Sequence, residues 1–214
     1  MASPRNQRPA NVSYYGRNRA AEIARIRRRQ DATRDFLREL RRGPCADCHK
    51  SFEPHQMDFD HRDPATKSFR LTAGRAMLAR RARLMTEVKK CDVVCANCHR
   101  VRAHARQREL LEQLVPNVTS AELARKRAYW RGQARMLDRL RSRPCSDCGG
   151  MFAPCAMDFD HRDAAAKRYT ISRMIGRAGT RTIIAEIAKC DIVCANCHRD
   201  RTYRRRVEGL FERE

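Results

Sequence analysis

One block of this sequence is written twice. GPCADCHKSFEPHQMDFDHRDPATK at 43–67 is answered by RPCSDCGGMFAPCAMDFDHRDAAAK at 143–167, an offset of 100 residues. EVKKCDVVCANCHR at 87–100 is answered by EIAKCDIVCANCHR at 186–199, an offset of 99, and upstream AEIAR at 21–25 matches AELAR at 121–125. A period this long lies far above the ~20–50 residues of stacked repeats, so it indicates two duplicated domains and not a solenoid. The expected layout is a disordered basic arm over 1–15, a first domain over 16–115, a linker over 116–120 and a second domain over 121–214.

The cysteines follow the same repeat. Cys45 and Cys48 stand two residues apart, as do Cys95 and Cys98, and Cys145, Cys148, Cys194 and Cys197 reproduce the pattern. Each such turn directs two thiolates to one point, and two turns complete a tetrahedral zinc site. One structural Zn2+ per domain is therefore expected. It would also explain how two small cores, with only 6% aromatic residues in the chain, hold together, because metal binding contributes directly to folding free energy. The pairs are separated by 46 residues in the first half and 45 in the second, well beyond the ~12–20 of common zinc fingers, so the insert carries something more.

The element pattern is α+β. In each half, apolar residues spaced mostly by threes, fours and sevens mark an opening helix: Ile23, Ile26, Phe36, Leu37 and Leu40, then Leu123, Trp130, Leu137 and Leu140. Pro44 and Pro144 end these helices. The Cys-rich segments through DFDHR are expected to be hairpin strands. A second helix is expected within Met77–Lys90 and Arg173–Lys189, a short buried strand at Val93–Val94 and Ile192–Val193, and a closing helix that starts at CANCHR.

Charge points to a polyanion. The chain has 47 Lys and Arg against 25 Asp and Glu, a formal net charge of +22. A surface this basic gains affinity by displacing counterions from phosphates, and the planar fork of Arg suits phosphate oxygens. Nucleic acid, double-stranded DNA first, is the expected partner, with no membrane partner; the sequence leaves protein partners open. With no apolar run near the ~20 residues of a membrane span, a cytoplasmic location with reduced cysteines is expected.

The insert holds Asp60-His61-Arg62, and Cys98 is followed at once by His99 and Arg100; the second half has Asp160-His161-Arg162 and Cys197-His198-Arg199. Neighbouring helical side chains diverge by about 100°, so if Cys98 faces zinc, His99 faces a different site. A carboxylate beside one His and facing another offers a mixed O/N ligand set with one imidazole left over, which suits metal-assisted phosphodiester hydrolysis.

At these residues the chain resembles the HNH endonucleases, in the branch with a C-x-x-C…C-x-x-C zinc clamp. The resemblance implies two tandem zinc-stabilised ββα-metal domains, each preceded by a helix, and a metal-dependent endonuclease. It implies that His61 and His161 are general bases. Asp60 with His99, and Asp160 with His198, would bind a catalytic divalent ion such as Mg2+. Arg62, Arg100, Arg162 and Arg199 flank these positions and are expected to grip phosphate. The family's central Asn, which orients the base, lies a few residues before the second cysteine pair, where this chain has Lys90-Cys91-Asp92 and Lys189-Cys190-Asp191. Asp92 or Asp191 could orient the imidazole instead, while Asn97 and Asn196 sit inside the knuckle.

The competing function is a non-catalytic zinc module that binds nucleic acid. Retention of Asp-His and of the His after the last cysteine in both halves favours the enzyme. A thiol redox switch would need reactive thiolates, which zinc would suppress. Cys91 and Cys190 are expected to be buried, and His49, matched by Gly149, to be a surface residue. Asp58 and Asp158, alternating with Asp60 and Asp160, could share the metal but are expected rather to face solvent, with Phe59 and Phe159 pointing into the core.

Overall fold

The computed structural model describes residues 8–72, 74–113 and 120–211. Among them are seven α-helices and two two-stranded antiparallel sheets: α1 (Arg8–Glu39), β1 (Met57–His61), α2 (Arg81–Val88), β2 (Cys91–Cys95), α3 (Ala96–Gln113), α4 (Ala121–Arg141), β3 (Met157–His161), α5 (Ile171–Met174), α6 (Thr180–Ile187), β4 (Cys190–Cys194) and α7 (Ala195–Phe211). The α+β expectation holds at this level. Residues 8–15 of the arm expected to be disordered lie in α1. The remainder of that arm, and the linker except Ser120, lie outside the described residues.

The expected hairpins are replaced by long-range pairs. β1 joins β2 and β3 joins β4 across the insert, with Met157 opposite Cys194, Phe159 opposite Ile192 and His161 opposite Cys190. The CxxC segments form compact turns. Cys45 N–H donates to Lys50 O and His49 N–H to Cys45 O, both at 2.9 Å, and Cys145 with Gly150 and Gly149 repeats the pattern. His49 (φ 59°) and Gly149 (φ 68°) are both left-handed, a conformation that Gly adopts freely and that His adopts more readily than most residues. That shared requirement accounts for the pairing of His with Gly at this slot, and His49 is exposed, as expected.

The chain divides into two compact units, and the division falls inside the first repeat. One unit comprises the residues up to Arg42 with Phe59–Asp92; the other comprises Gly43–Asp58 and everything from Val93 onward. The core of the first unit is Leu37, Leu71, Ala76, Met77, Leu84 and Cys91, with Phe36 and Phe59 against it. α1 is tied to this core where the Arg29 guanidinium donates to Leu78 O at 2.6 Å.

The second unit contains both cysteine clusters and the whole second repeat. Cys45, Met57, Val94 and Cys95 form one small core, and Cys145, Met157, Val193 and Cys194 another. A third joins α4 to α5 and α6 through Leu137, Ile171, Met174 and Ile183. Ser120 caps α4, its Oγ accepting from Leu123 N–H at 3.3 Å. Buried Gln133 holds the following loop, donating to Ala178 O at 2.9 Å and accepting from Gly176 N–H at 2.8 Å. A Cβ at Gly176 would meet the Trp130 indole at 2.6 Å, and its φ is +72°, so only Gly fits there.

Candidate metal centres and the candidate active site

Both cysteine quartets converge. In Cys45, Cys48, Cys95, Cys98 and in Cys145, Cys148, Cys194, Cys197, the four sulfurs lie within 4.8 Å of one another, and four thiolates are a donor set suited to zinc. Burial pushes the Cys45 and Cys145 thiols up, but amide hydrogen bonds, including Cys48 and Cys95 to Cys45, outweigh it and bring both to about 7. The Cys95 amide donates to Cys45 Sγ at 3.2 Å, and the Cys194 amide to Cys145 Sγ at the same distance. Cys91 and Cys190 stay outside the quartets. They are 8% and 9% exposed, and burial, first among the causes, pushes their thiols up to about 11.

The second repeat brings its predicted residues around one cavity of about 200 Å3, lined by Asp158, Asp160, His161, His198, Arg141 and Arg205 among others. Strand alternation puts Asp158 and Asp160 on one face of β3, where α7 presents His198. The His198 Nδ1 lies 2.8 Å from Asp158 Oδ2, and its Nε2 lies 3.5 Å from Asp160 Oδ1. Asp158 thus fixes the ring so that the other nitrogen faces Asp160. The expectation that Asp158 faces solvent is corrected, because helix α7 covers that face of the strand. Asp58 is likewise 9% exposed and lies 2.8 Å from His99 Nδ1.

Asp160 is already clasped by two arginines. Arg205 reaches its Oδ1 and Oδ2 at 3.1 and 2.6 Å, and Arg201 its Oδ2 at 3.1 Å. Burial pushes the Asp160 carboxyl up, but these guanidiniums more than offset it and hold it below the ordinary value. Burial acts the same way on Asp158, and hydrogen bonds from His198 and Arg100 override it to give about 2.

His161 is 6% exposed and its Nε2 lies 2.9 Å from Glu186 Oε1. The same Glu186 oxygen accepts from the Arg168 and Tyr169 amides, and Oε2 accepts from Lys189 Nζ at 2.7 Å. The Lys189 ammonium is the largest influence holding this carboxyl at about 2. His61 repeats the arrangement in the first unit: its Nε2 lies 2.8 Å from Glu87 Oε1, which accepts from the Ser68 and Phe69 amides, while Oε2 accepts from Lys90 Nζ at 2.8 Å. These glutamates escaped the sequence argument, which offered Asp92 and Asp191 for the orienting role. Those aspartates instead bind Arg62 and Arg162.

The four arginines expected to grip phosphate all have protein partners. Arg62 donates to the carbonyls of Cys91, at 2.9 Å, and of Lys89, and Arg162 donates to those of Cys190 and Ala188 at 2.9 and 2.5 Å. Both close the ends of helices, where carbonyls lack partners within the helix. Arg100 and Arg199 meet carboxylates. Arg141, which the sequence did not single out, lines the cavity instead. Its guanidinium lies 4.8 Å from the Phe159 ring centroid, and its buried Nε has no hydrogen-bond partner among the described residues.

Asn97 and Asn196 have a structural task. Each is buried, and the Oδ1 of each accepts from the other's backbone N–H, at 3.1 and 3.2 Å. These amides lie in the first turns of α3 and α7 and lack intrahelical acceptors, so each repeat satisfies the helix start of the other.

No helix among the described residues is long and apolar enough to cross a membrane. Comparisons with protein-family models, with curated proteins and with solved structures return no match.

Proposed function

We propose that the chain is a metal-dependent endonuclease of the HNH type that hydrolyses phosphodiester bonds, most readily in double-stranded DNA, with one cleavage site per repeat and one structural Zn2+ in each cysteine quartet. The observation that carries this reading is the arrangement in the second repeat: His198, its Nδ1 fixed by Asp158, turns Nε2 toward Asp160, and His161 lines the same cavity. The net charge of +22 supports a polyanionic substrate.

Because Glu186 is held ionised, it accepts the Nε2–H of His161 and leaves Nδ1 with the lone pair. That nitrogen is the proton acceptor for the attacking water, and Glu186 stabilises the imidazolium that forms. Asp160 and His198 Nε2 are the residues that would hold a divalent ion; when bound, it supplies positive charge for the scissile phosphate and the leaving oxygen. Arg141 contributes a guanidinium on the cavity wall. By correspondence of the repeats, His61 with Glu87 carries the base role in the first, and Asp60 and His99 are the sequence counterparts of Asp160 and His198.

A second reading has its own support. Arg201 and Arg205 already neutralise Asp160, which favours a zinc module that binds nucleic acid without cutting it. Plasmid cleavage with Mg2+, Mn2+ or EDTA separates the two, run beside the His61→Ala/His161→Ala variant with zinc measured on the same samples. Metal-dependent cutting that is lost in the variant is the expected result. Zinc-loaded protein that binds DNA in a salt-sensitive way but does not cut would overturn the nuclease.

A further inference from the structure

The Arg that follows each active-site His crosses to the other repeat. Arg100, on α3, places Nη1 2.6 Å from Asp158 Oδ1, and Arg199, on α7, places Nη2 2.5 Å from Asp58 Oδ2. Asp158 and Asp58 are the carboxylates that hold the Nδ1 atoms of His198 and His99. We propose that Arg100 and Arg199 are positioning residues acting across the repeats, each fixing the Asp–His pair of the opposite site, so that neither site is complete without the other half of the chain.

The geometry supports this directly. Asp158 uses Oδ2 for the imidazole and Oδ1 for the guanidinium, which pins the carboxylate plane from both sides, whereas at Asp58 the His99 imidazole and the Arg199 guanidinium share Oδ2. With the imidazole alone, the carboxylate would remain free to rotate and would orient the ring less well. Both partners are partly shielded, Asp158 with 18% and Arg100 with 41% of its side chain exposed, so the pair is better insulated than an ordinary surface ion pair. The reciprocal Asn97–Asn196 contact joins the starts of the same two helices three residues before the arginines. The crossing is therefore built in on both sides. It also accounts for an Arg at these positions where the sequence suggested a phosphate grip within the same repeat.

The significance of the proposal rests on the nuclease reading, and the experiment separates the two. In the full chain, His61→Ala leaves only the second site and His161→Ala only the first. Arg100→Ala, and the same-length Arg100→Gln, are introduced into each background, with zinc content as the check on folding. The expected result is a loss of about 10–100-fold in cleavage by the second site and a distinctly smaller loss in the first, with Arg199→Ala giving the mirror image. A loss that follows the arginine's own repeat, or falls equally on both, overturns the proposal. If the parent does not cut at all, the nuclease reading fails, and the crossing is then judged by NMR of the imidazole Nδ1–H groups. Arg100→Gln should perturb the His198 signal more than the His99 signal, and the reverse order or equal effects would overturn it.

Discussion

The Nε2 of His161 sits 2.9 Å from Oε1 of Glu186, and both side chains are at most 6% exposed. His61 and Glu87 repeat the pair at 2.8 Å. Each carboxylate also receives two backbone amides and a lysine three residues further along the chain, just past the end of its helix, so the buried charge is well compensated. That degree of compensation is what allows a carboxylate to remain ionised away from water, and it fixes which imidazole nitrogen carries the proton.

Acid should expose the contribution of Glu87. Burial pushes its carboxyl up, but Lys90, His61 and the Ser68 and Phe69 amides bring it from an ordinary 4.5 down to about 2. A group depressed on folding stabilises the protein fully above its unfolded value, and that stabilisation is lost as pH falls from about 4.5 toward 2. Glu87→Gln should therefore be less stable than the parent at pH 7 by on the order of 2 kcal/mol, after discounting for the partial exposure of Lys90. The gap should close toward pH 2. Urea denaturation of both proteins across this range tests it, and a constant gap would be inconsistent with an ionised Glu87.

Zinc should be held in two independent quartets. Cys197→Ser removes one ligand from the second and should lower bound zinc from about two per chain to about one, with loss of helical circular dichroism confined to part of the signal. Chelation of the parent should unfold both clusters, because binding and folding are coupled in such sites. Metal analysis with circular dichroism on the same samples checks this. Retention of two zincs by the variant would remove Cys197 from the ligand set.

Arg141 should behave as a phosphate contact. Its Nε is buried without a hydrogen-bond partner among the described residues, on a cavity wall shared with His161. Arg141→Ala should weaken DNA binding at every sequence and reduce the slope of log affinity against log salt by about 1. Titrations at several salt concentrations measure that slope. An unchanged slope would return Arg141 to a packing role against Phe159.

The cysteine quartets were legible in the sequence because a CxxC turn is local and its repetition fixes the set. Asp160, His161 and His198 were legible for the same reason, each lying beside a recognisable turn or strand. Glu87 and Glu186 were missed although a signal was there: both repeats carry Glu followed three residues later by Lys, which passes for an ordinary exposed helix pair until His61 and His161 are folded onto it. The cover over Asp58 and Asp158 is not legible, because strand alternation says which residues share a face, not which face a helix covers. The crossing of Arg100 and Arg199 has no local signature at all. It depends on how one repeat meets the other, information that neither repeat contains alone.

The paired asparagines have one more consequence. A contact in which Asn97 meets Asn196 and Asn196 meets Asn97 is the signature of two identical chains about a twofold axis; here a single polypeptide makes it with itself. Tethering removes the dependence of such a pairing on protein concentration, and with it the obligation to keep both surfaces alike. Divergence is visible beside the symmetric contact. His55 stacks on Tyr203 at 4.3 Å between ring centroids and lies 3.0 Å from Asp200, whereas the repeat partners of these three residues are Cys155, His104 and Val101. Two repeats joined in one chain can keep a symmetric contact at their asparagines while the residues around it differ, leaving the two faces free for different work.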